Sequence, residues 1–539
     1  MIKYSVERID HLGIVAGTIK DLGLVELIDS HLGHYENETL SAGETVAGMI
    51  LNGLGFSNKP LSLTPLFFQN CPLSLLFRDG VNADDFNRFK IGRVLDRLHN
   101  FGTEALFSHI AVDVCEKEHV DFRFNHLDTS AFSLTGEYLP DADEQAISIT
   151  HGHSKDHRPD LKQVMLEMMV TQDGGIPILF KSLDGNSSDN TVFQERAAAL
   201  IKEFEQSETP RYIVADCKVY TRKNAKNLSK LLFITRIPQN IQKVEEVIMQ
   251  ALDTPDEWLE FDHGRKVKEF NVEHYDIKQR WLVVSSETSR GKAVKRIRKK
   301  VKKEKVKIQK EIFHLQAARF HCAEDAIKAG EKLASKWKTH SLLSYEIIEH
   351  KRYKGKGRPK KGEQPVAIDY QIVLAAQLDS DKVDRLQKIA ACYVIGTNIP
   401  EEYLSVQEVL TAYKKQNQAE QGFRFLKDPL FFASSLFVKK PSRIAALLMV
   451  MVLSLLVYGI AERRMRNRLA EQQETVPNQI NQPTQTPTLR WIFQLIGGIS
   501  RIKITVGNRV KYVFDGITKL KKRILLLFGD AVANIYQIS

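Results

Sequence analysis

The chain has 539 residues, too many for one ordinary core, and its length predicts three or four domains of ~150 residues or one large domain carrying an insertion. Hydrophobic residues at 43% and charged residues at 27% exclude a mainly disordered or collagen-like chain. A formal net charge of +11 and a pI near 9.1 point to a polyanionic partner, and five scattered cysteines with no CxxC pair suit reduced thiols in a cytosol rather than a disulfide framework or a cysteine-based zinc site.

The first residues, MIKYSVERIDHLGIV, lack the long apolar core of a signal peptide. Residues 1–115 are expected to form a helical domain. LSAGETVAGMILNGLGF and NADDFNRFKIGRVLDRLHNFGTEALF carry apolar residues at three- and four-residue spacing. Ser41 and Glu44 have capping-box spacing, and Asn82, Asp84 and Asp85 are helix-start signals for the second run.

From about residue 118 the period changes to two. HVDFRFNHLDTSAF reads as a strand, and LKQVMLEMMVTQDGGIPILFKSL as a hairpin turning at Asp173-Gly174-Gly175. SSDNTVFQERAAALIKEFEQS reads as a helix capped near Asp189 or Asn190. RYIVADCKVY then reads as a buried strand, TRKNAKNLSKLL as a helix and LFITRI as another strand. The succession predicts a mixed α/β sheet over 116–240.

A basic α+β insertion is expected over 241–404. The core would resume over 405–469, beginning with one helix from VQEVLTAYKKQNQAEQGFRFLKDP. Residues 444–460 are long and apolar enough for a short membrane span, but in a polar, basic chain they read better as a helix buried on all sides. The Gln-, Asn-, Pro- and Thr-rich stretch 470–488 reads as a linker, and 489–539 as a small helical tail suited to interaction.

Two of the expected strands end in an aspartate. Asp128 shares a face with Phe122 and Phe124, and Asp216 follows the apolar run YIVA. Each alone reads as a turn residue or helix cap. A carboxylate at the end of a buried strand is nevertheless costly unless it is paired or on a metal, and ligands of α/β sheets collect at those ends. Tyr413, Gln416, Glu420, Arg424 and Lys427 fall on one stripe of the following expected helix. An acid among an aromatic hydroxyl, an amide and two cations suits a metal flanked by phosphates, although most such stripes are solvated faces.

The order LDT, VAD and Y-x2-Q-x3-E-x6-K resembles the DDE transposases of bacterial insertion sequences, in the subgroup with a Tyr-Arg-Glu-Lys signature. GHSKDHRPDLKQ, LDGNSSDN and EQGFRFLKDP resemble the same group. The resemblance covers roughly 120–240 and 405–460, and the helical N-terminal region loosely. It implies an RNase H-like core split by an insertion, with Asp128, Asp216 and Glu420 as the catalytic carboxylates holding two Mg²⁺ ions, or Mn²⁺ in their place. Tyr413 and Lys427 match signature residues that contact the DNA end; Gln416 stands where the signature has Arg, and Cys217 where related sequences often have Ser. It further implies double-stranded DNA as partner, a homodimer on DNA, an N-terminal domain binding element ends or a partner subunit, and a bacterial cytoplasmic setting. The alternative is a catalytically inactive, transposase-derived DNA-binding protein. Oxygen-only ligands suit hard divalent ions, and two such ions suit in-line displacement at phosphorus.

GKAVKRIRKKVKKEKVKIQK (291–310) holds eleven Lys or Arg and one Glu, nearly the whole net charge. Its expected role is contact with DNA phosphates, through Lys295, Arg296, Arg298, Lys299 and Lys300 among others, the alternative being a solvated helix. KGKGRPKKGE resembles a minor-groove hook in which Arg358 enters the groove and Lys356 and Lys360 meet phosphates; a mobile basic loop is the other reading. His151, His153 and His157, with Lys155 and Arg158, read as a polar loop near DNA rather than a zinc site. Trp281 reads as core rather than as a handle for a flipped base. No GxxxxGK[ST] is present, so ATP dependence is not expected.

Overall fold

Apolar spacing of three and four residues folds the N-terminal region into helices in the computed structural model, which describes residues 2–35, 38–57, 59–138, 147–152, 158–187, 210–262, 264–355, 361–431 and 438–538. The chain divides into two compact units, residues 1–235 with 408–539, and residues 236–407.

In the first unit, strand β1 (Ile2–Arg8) precedes helices Leu12–Leu22, Leu24–Leu32 and Ala42–Leu54. The Ser41 capping box forms: the Glu44 N–H donates to Ser41 Oγ at 3.0 Å and the Ser41 N–H to Glu44 Oε2 at 2.9 Å. The acidic run at 82–85 opens only a 3₁₀ turn, Ala83–Phe86. The true helix, Arg88–Phe101, starts later because Asn87 Oδ1 accepts the N–H groups of Phe89 and Lys90, both at 3.1 Å.

The sheet of this unit contains β2 (Phe124–Leu134), β3 (Lys162–Thr171), β4 (Pro177–Leu183), β5 (Tyr212–Ala215) and β6 (Leu232–Ile237), in the order β4-β3-β2-β5-β6. β3 runs antiparallel to β2 and β4, whereas β2, β5 and β6 are parallel. The fold is thus mixed α/β, as expected. All four β5 residues are buried, as a continuous apolar run in a central strand demands. At the β3–β4 turn Gly174 and Gly175 have φ of 85° and 66°, and the Thr171 N–H closes onto Ile176 O at 2.9 Å. TRKNAKNLSKLL yields only the short helix Ala225–Leu228, because Asn224 turns back to donate through Nδ2 to Val219 O at 2.9 Å. The helix expected over 187–207 lies, beyond Ser187, outside the described residues.

The second unit has an antiparallel sheet of β7 (Leu259–Asp262), β8 (Arg265–His274) and β9 (Ile277–Ser286), a hairpin of β10 (His340–Arg352) with β11 (Ala367–Leu378), and β12 (Cys392–Thr397) paired to β9. Trp281 on β9 is 0% exposed and donates Nε1–H to Gln279 Oε1 at 2.9 Å, so it is a satisfied core residue. The basic stretch lies within a 31-residue helix, Glu287–Ala317, whose buried seam is Ala293, Ile297 and Ile308.

The apolar stretch at 444–460 lies in the 31-residue helix Pro441–Glu471, and 94% of its most apolar 18-residue window is buried inside the protein. It is apolar all round because helices Ala42–Leu54, Arg88–Phe101 and Thr103–Lys117, together with β4, surround it. The stretch 470–488, expected as a linker, is tied back onto this helix. Val476 is buried in the short pair β13 (Val476–Pro477) and β14 (Pro483–Thr484), Trp491 Nε1–H donates to Pro477 O at 2.7 Å, and the Leu489 N–H donates to Glu462 Oε2 at 2.7 Å. The expected helical tail contains a hairpin as well as helices: β15 (Ser500–Val506) and β16 (Arg509–Asp515). β15 pairs antiparallel with β1 from Arg8↔Ser500 to Ile2↔Val506, so both chain ends share one sheet.

Candidate active site

Parallel pairing of β2 with β5 brings the two aspartates side by side. The last registered pair is Leu127↔Ala215, on strands roughly 4.8 Å apart. Asp216 is the first residue past β5, as expected, whereas Asp128 lies inside its strand rather than at the end, because β2 stays paired with β3 as far as Leu134. The backbone orients both carboxylates. Asp128 Oδ1 accepts the Thr129 N–H at 2.8 Å, and Asp216 Oδ1 accepts the Cys217 N–H at 2.6 Å while starting the 3₁₀ turn Cys217–Val219. The Thr235 hydroxyl of β6 donates to the backbone oxygen of Asp216 at 3.2 Å, which ties the strand end down. Two residues before Asp128, burial pushes the His126 imidazole down to about 4, so it adds no positive charge at neutral pH.

Glu420 comes from the far end of the chain. The helix expected to run unbroken from about 406 is two helices, Val406–Lys414 and Asn417–Leu426, separated by a turn at Lys415 and Gln416. The turn uses i+3 bonds, with the Gln416 N–H on Tyr413 O at 3.1 Å and the Gln418 N–H on Lys415 O at 3.0 Å. Tyr413 therefore lies on the first helix, Gln416 at the junction, and Glu420 and Arg424 on the second, with Lys427 capping its end. The single stripe read from the sequence is broken after Tyr413.

The second helix lies against β2 and β3. Gly422 makes that approach possible. A Cβ there would sit 3.0 Å from Met168 Cε and 3.1 Å from Leu455 Cδ2, so the absence of a side chain lets the helix seat between β3 and the long buried helix. Glu420, Arg424 and Lys427 consequently line one cleft of about 530 Å³ with Asp128, Thr129, Ser130 and Phe423. Glu420 and Arg424 are exposed, and Lys427 is half-buried with its ammonium 5.5 Å from the centre of the Phe132 ring. Asp428, at the cleft edge, is held by Arg490. Gly422 and the Arg490 clamp escaped the sequence reading. A lone Gly within a helical pattern was the available signal for the first, and nothing local marks the second.

The carboxylates offer oxygen donors only, the set that hard divalent ions prefer. Asp128 and Glu420 share the cleft and Asp216 adjoins Asp128 by register, but among the described residues no three acidic, His or Cys side chains already converge as a metal cluster. Lys295, Arg296, Arg298, Lys299 and Lys300 are all exposed on the basic helix of the second unit. Lys356, Arg358 and Lys360 lie outside the described residues, as do His153, Lys155 and His157.

Residues 135–457 match a transposase DDE domain, over more than half of the chain. The chain belongs to the transposase DDE domain family. The match begins directly after β2 and takes in Asp216 and Glu420. Residues 4–112 of this transposase match a domain of unknown function (DUF4277). No curated protein matches the chain. Among solved structures it is similar to a piggyBac transposase determined by cryo-EM as a synaptic complex with hairpin DNA, at 10% identity and a TM-score of 0.34, covering 92% of this chain and 82% of that one. Members of the DDE family generally use divalent metal ions, and the carboxylates on β2 and just past β5 are of the type such ions require.

Proposed function

We propose that this transposase cleaves the ends of a bacterial insertion sequence and joins them to target DNA, with Asp128, Asp216 and Glu420 as its catalytic carboxylates. The carrying observation is the Leu127↔Ala215 register, which sets Asp128 within β2 beside Asp216 just past the end of β5, together with Glu420 lining the same cleft as Asp128. The strand order, with only β3 reversed among five, supports an RNase H-like core. Tyr413, Glu420 and Lys427 support the Tyr-Arg-Glu-Lys subgroup, with Gln416 as the departure.

Two Mg²⁺ ions, or Mn²⁺ in their place, held by the three carboxylates would supply Lewis acidity for in-line displacement at a phosphodiester. Lys427 and Arg424 stand on the same cleft and suit phosphate oxygens on either side of the reacting bond. The exposed cations of helix Glu287–Ala317 suit the backbone of double-stranded DNA, and a homodimer would present two such sites to two element ends.

The test is cleavage of element-end DNA by single variants. Asp128→Asn, Asp216→Asn and Glu420→Gln should each lower Mg²⁺- or Mn²⁺-dependent cleavage by at least about a thousandfold, the scale lost with a main charge-stabilising group. DNA binding should remain. Wild-type cleavage by Glu420→Gln would remove the helix acid from the site.

A further inference from the structure

A second cationic groove lies within the first unit, away from the carboxylates. It forms where the start of helix Arg88–Phe101 meets the residues that lead into helix Pro441–Glu471, and it encloses about 420 Å³. Its charged lining residues are Arg88, Lys439, Lys440 and Arg443, with no acid among them. Arg443 is committed to structure: its guanidinium lies across Gly92 and makes paired bonds of 2.7 Å to both oxygens of Asp96. Arg88, Lys439 and Lys440 are exposed and have no acidic partner among the described residues. Three unpaired like charges on one groove repel one another, and a polyanion relieves that repulsion. The two lysines also stand at the amino end of a 31-residue helix, where the dipole favours negative charge.

The floor is apolar, formed by Leu61, Ile91 and Leu95. At the rim Phe89 is 67% exposed, with the Arg88 guanidinium carbon 4.8 Å from its ring centre. An exposed aromatic ring beside cations and over an apolar floor is poorly suited to a bare phosphate, and the bases of a duplex, stacked and paired, have no free face to offer the ring. The groove suits a strand whose bases are unpaired: phosphates on the cations, and one base against the ring.

We propose that the groove of Arg88, Phe89, Lys439 and Lys440 binds single-stranded DNA, as a site separate from the carboxylate cleft; its use in transposition rests on the reading above. It would hold the unpaired strand left when an element end opens. Because one wall comes from the segment matching DUF4277 and the other from the DDE segment, this assigns the former a part in gripping DNA.

The experiment is fluorescence anisotropy of the full chain with a short mixed-sequence oligonucleotide, single-stranded and as duplex, across a salt series. Phe89→Ala should weaken single-strand binding at least about fivefold, with a smaller loss on duplex, and Phe89→Trp should restore it. Lys439→Ala with Lys440→Ala should lower the single-strand salt slope by ~1.4, two phosphates at ~0.7 each. Melting temperatures equal to wild type establish that the variants are folded. Unchanged single-strand affinity in Phe89→Ala, an unchanged slope in the double lysine variant, or equal losses on both DNA forms would each overturn the assignment. Wild-type cleavage together with unaltered strand binding by the groove variants removes the groove and leaves the transposase reading. Weakened strand binding by those variants in a chain that cleaves no DNA does the reverse.

Discussion

Gln416 is the residue whose position most changes its meaning. On one continuous helix it would lie a turn before Glu420 and face the same way. In the structure it sits in the turn between two helices, so its amide is set by the turn rather than by the stripe. Arg424, one turn beyond Glu420 on the second helix, lines the cleft, whereas Gln416 is not among its lining residues. A guanidinium at 424 therefore supplies a charged, forked donor where an amide at 416 supplies only a neutral one. Arg424→Ala is expected to lower end-joining on a pre-cut end more than Gln416→Ala does, by roughly tenfold or more for a charged hydrogen bond. Gln416→Arg should keep or raise the activity. Assays of cleavage and joining measured separately check both, and loss of all activity in Gln416→Arg would show that a cation at the turn blocks the site.

At the scale of an element, the basic helix Glu287–Ala317 divides cleanly by face. Its narrow seam of Ala293, Ile297 and Ile308 is buried, and every Lys and Arg from 292 to 310 is exposed. Of its two interior acids, Glu311 pairs with Lys307 and Glu304 serves structure. Glu304 accepts the Lys338 N–H at 3.0 Å and the Thr339 N–H at 2.7 Å, anchoring the start of β10. Burial pushes its carboxyl up, but those donors and the Thr339 hydroxyl bring the net pKa below the ordinary value. The helix thus presents almost pure positive charge. Neutralising Lys295, Arg296, Arg298, Lys299 and Lys300 together should weaken duplex DNA binding and reduce the salt slope by ~0.9 for each phosphate no longer neutralised. An unaltered slope would leave these charges a solubility role only.

Across the first unit, three remote segments are clamped to one end of the long buried helix. Arg463 bonds Asp173 of the hairpin turn at 2.7 Å and the Glu118 backbone oxygen at 2.9 Å, and Arg464 bonds Glu118 at 2.5 Å and Asp21 at 3.1 Å. Burial raises the Glu118 and Asp173 carboxyls, but Arg464 and Arg463 outweigh it, and both pKa values end below the ordinary range. Lowered folded values stabilise the protein above the unfolded carboxyl values near 4, and that stability drains away as pH falls through the folded values. Arg464→Ala should cost about 1–3 kcal/mol at neutral pH by leaving the half-buried Glu118 without its partner. It should also shift acid unfolding to higher pH, because burial alone raises that carboxyl. Thermal melts from about pH 3 to 7 check this, and superimposable curves for variant and wild type would show that the clamp contributes nothing.

Local physics made much of this chain legible in one dimension. Period-two alternation marked β2, the Asp-Gly-Gly turn marked the β3–β4 hairpin, and the apolar run before Asp216 announced a buried strand, because strand faces and turns are set by neighbours in sequence. Asp128 and Asp216 stood out for the same reason, each on or just after a strand that its own residues specify, whereas grouping them with Glu420 rested on the family resemblance. What the sequence could not determine was decided by contacts between distant residues. Whether 444–460 lies in lipid or in a core depends on what surrounds it, and helices from the other end of the chain do so. Whether 406–427 is one helix or two depends on how the second half seats on β2 and β3, which Gly422 permits and no helical periodicity records. A Gln- and Pro-rich stretch became anchored structure because Glu462 and Pro477 offered acceptors to Leu489 and Trp491, and β15 found its partner in β1 at the other end of the chain. Such pairings carry no local signature, because their free energy comes from groups that only the folded chain brings together.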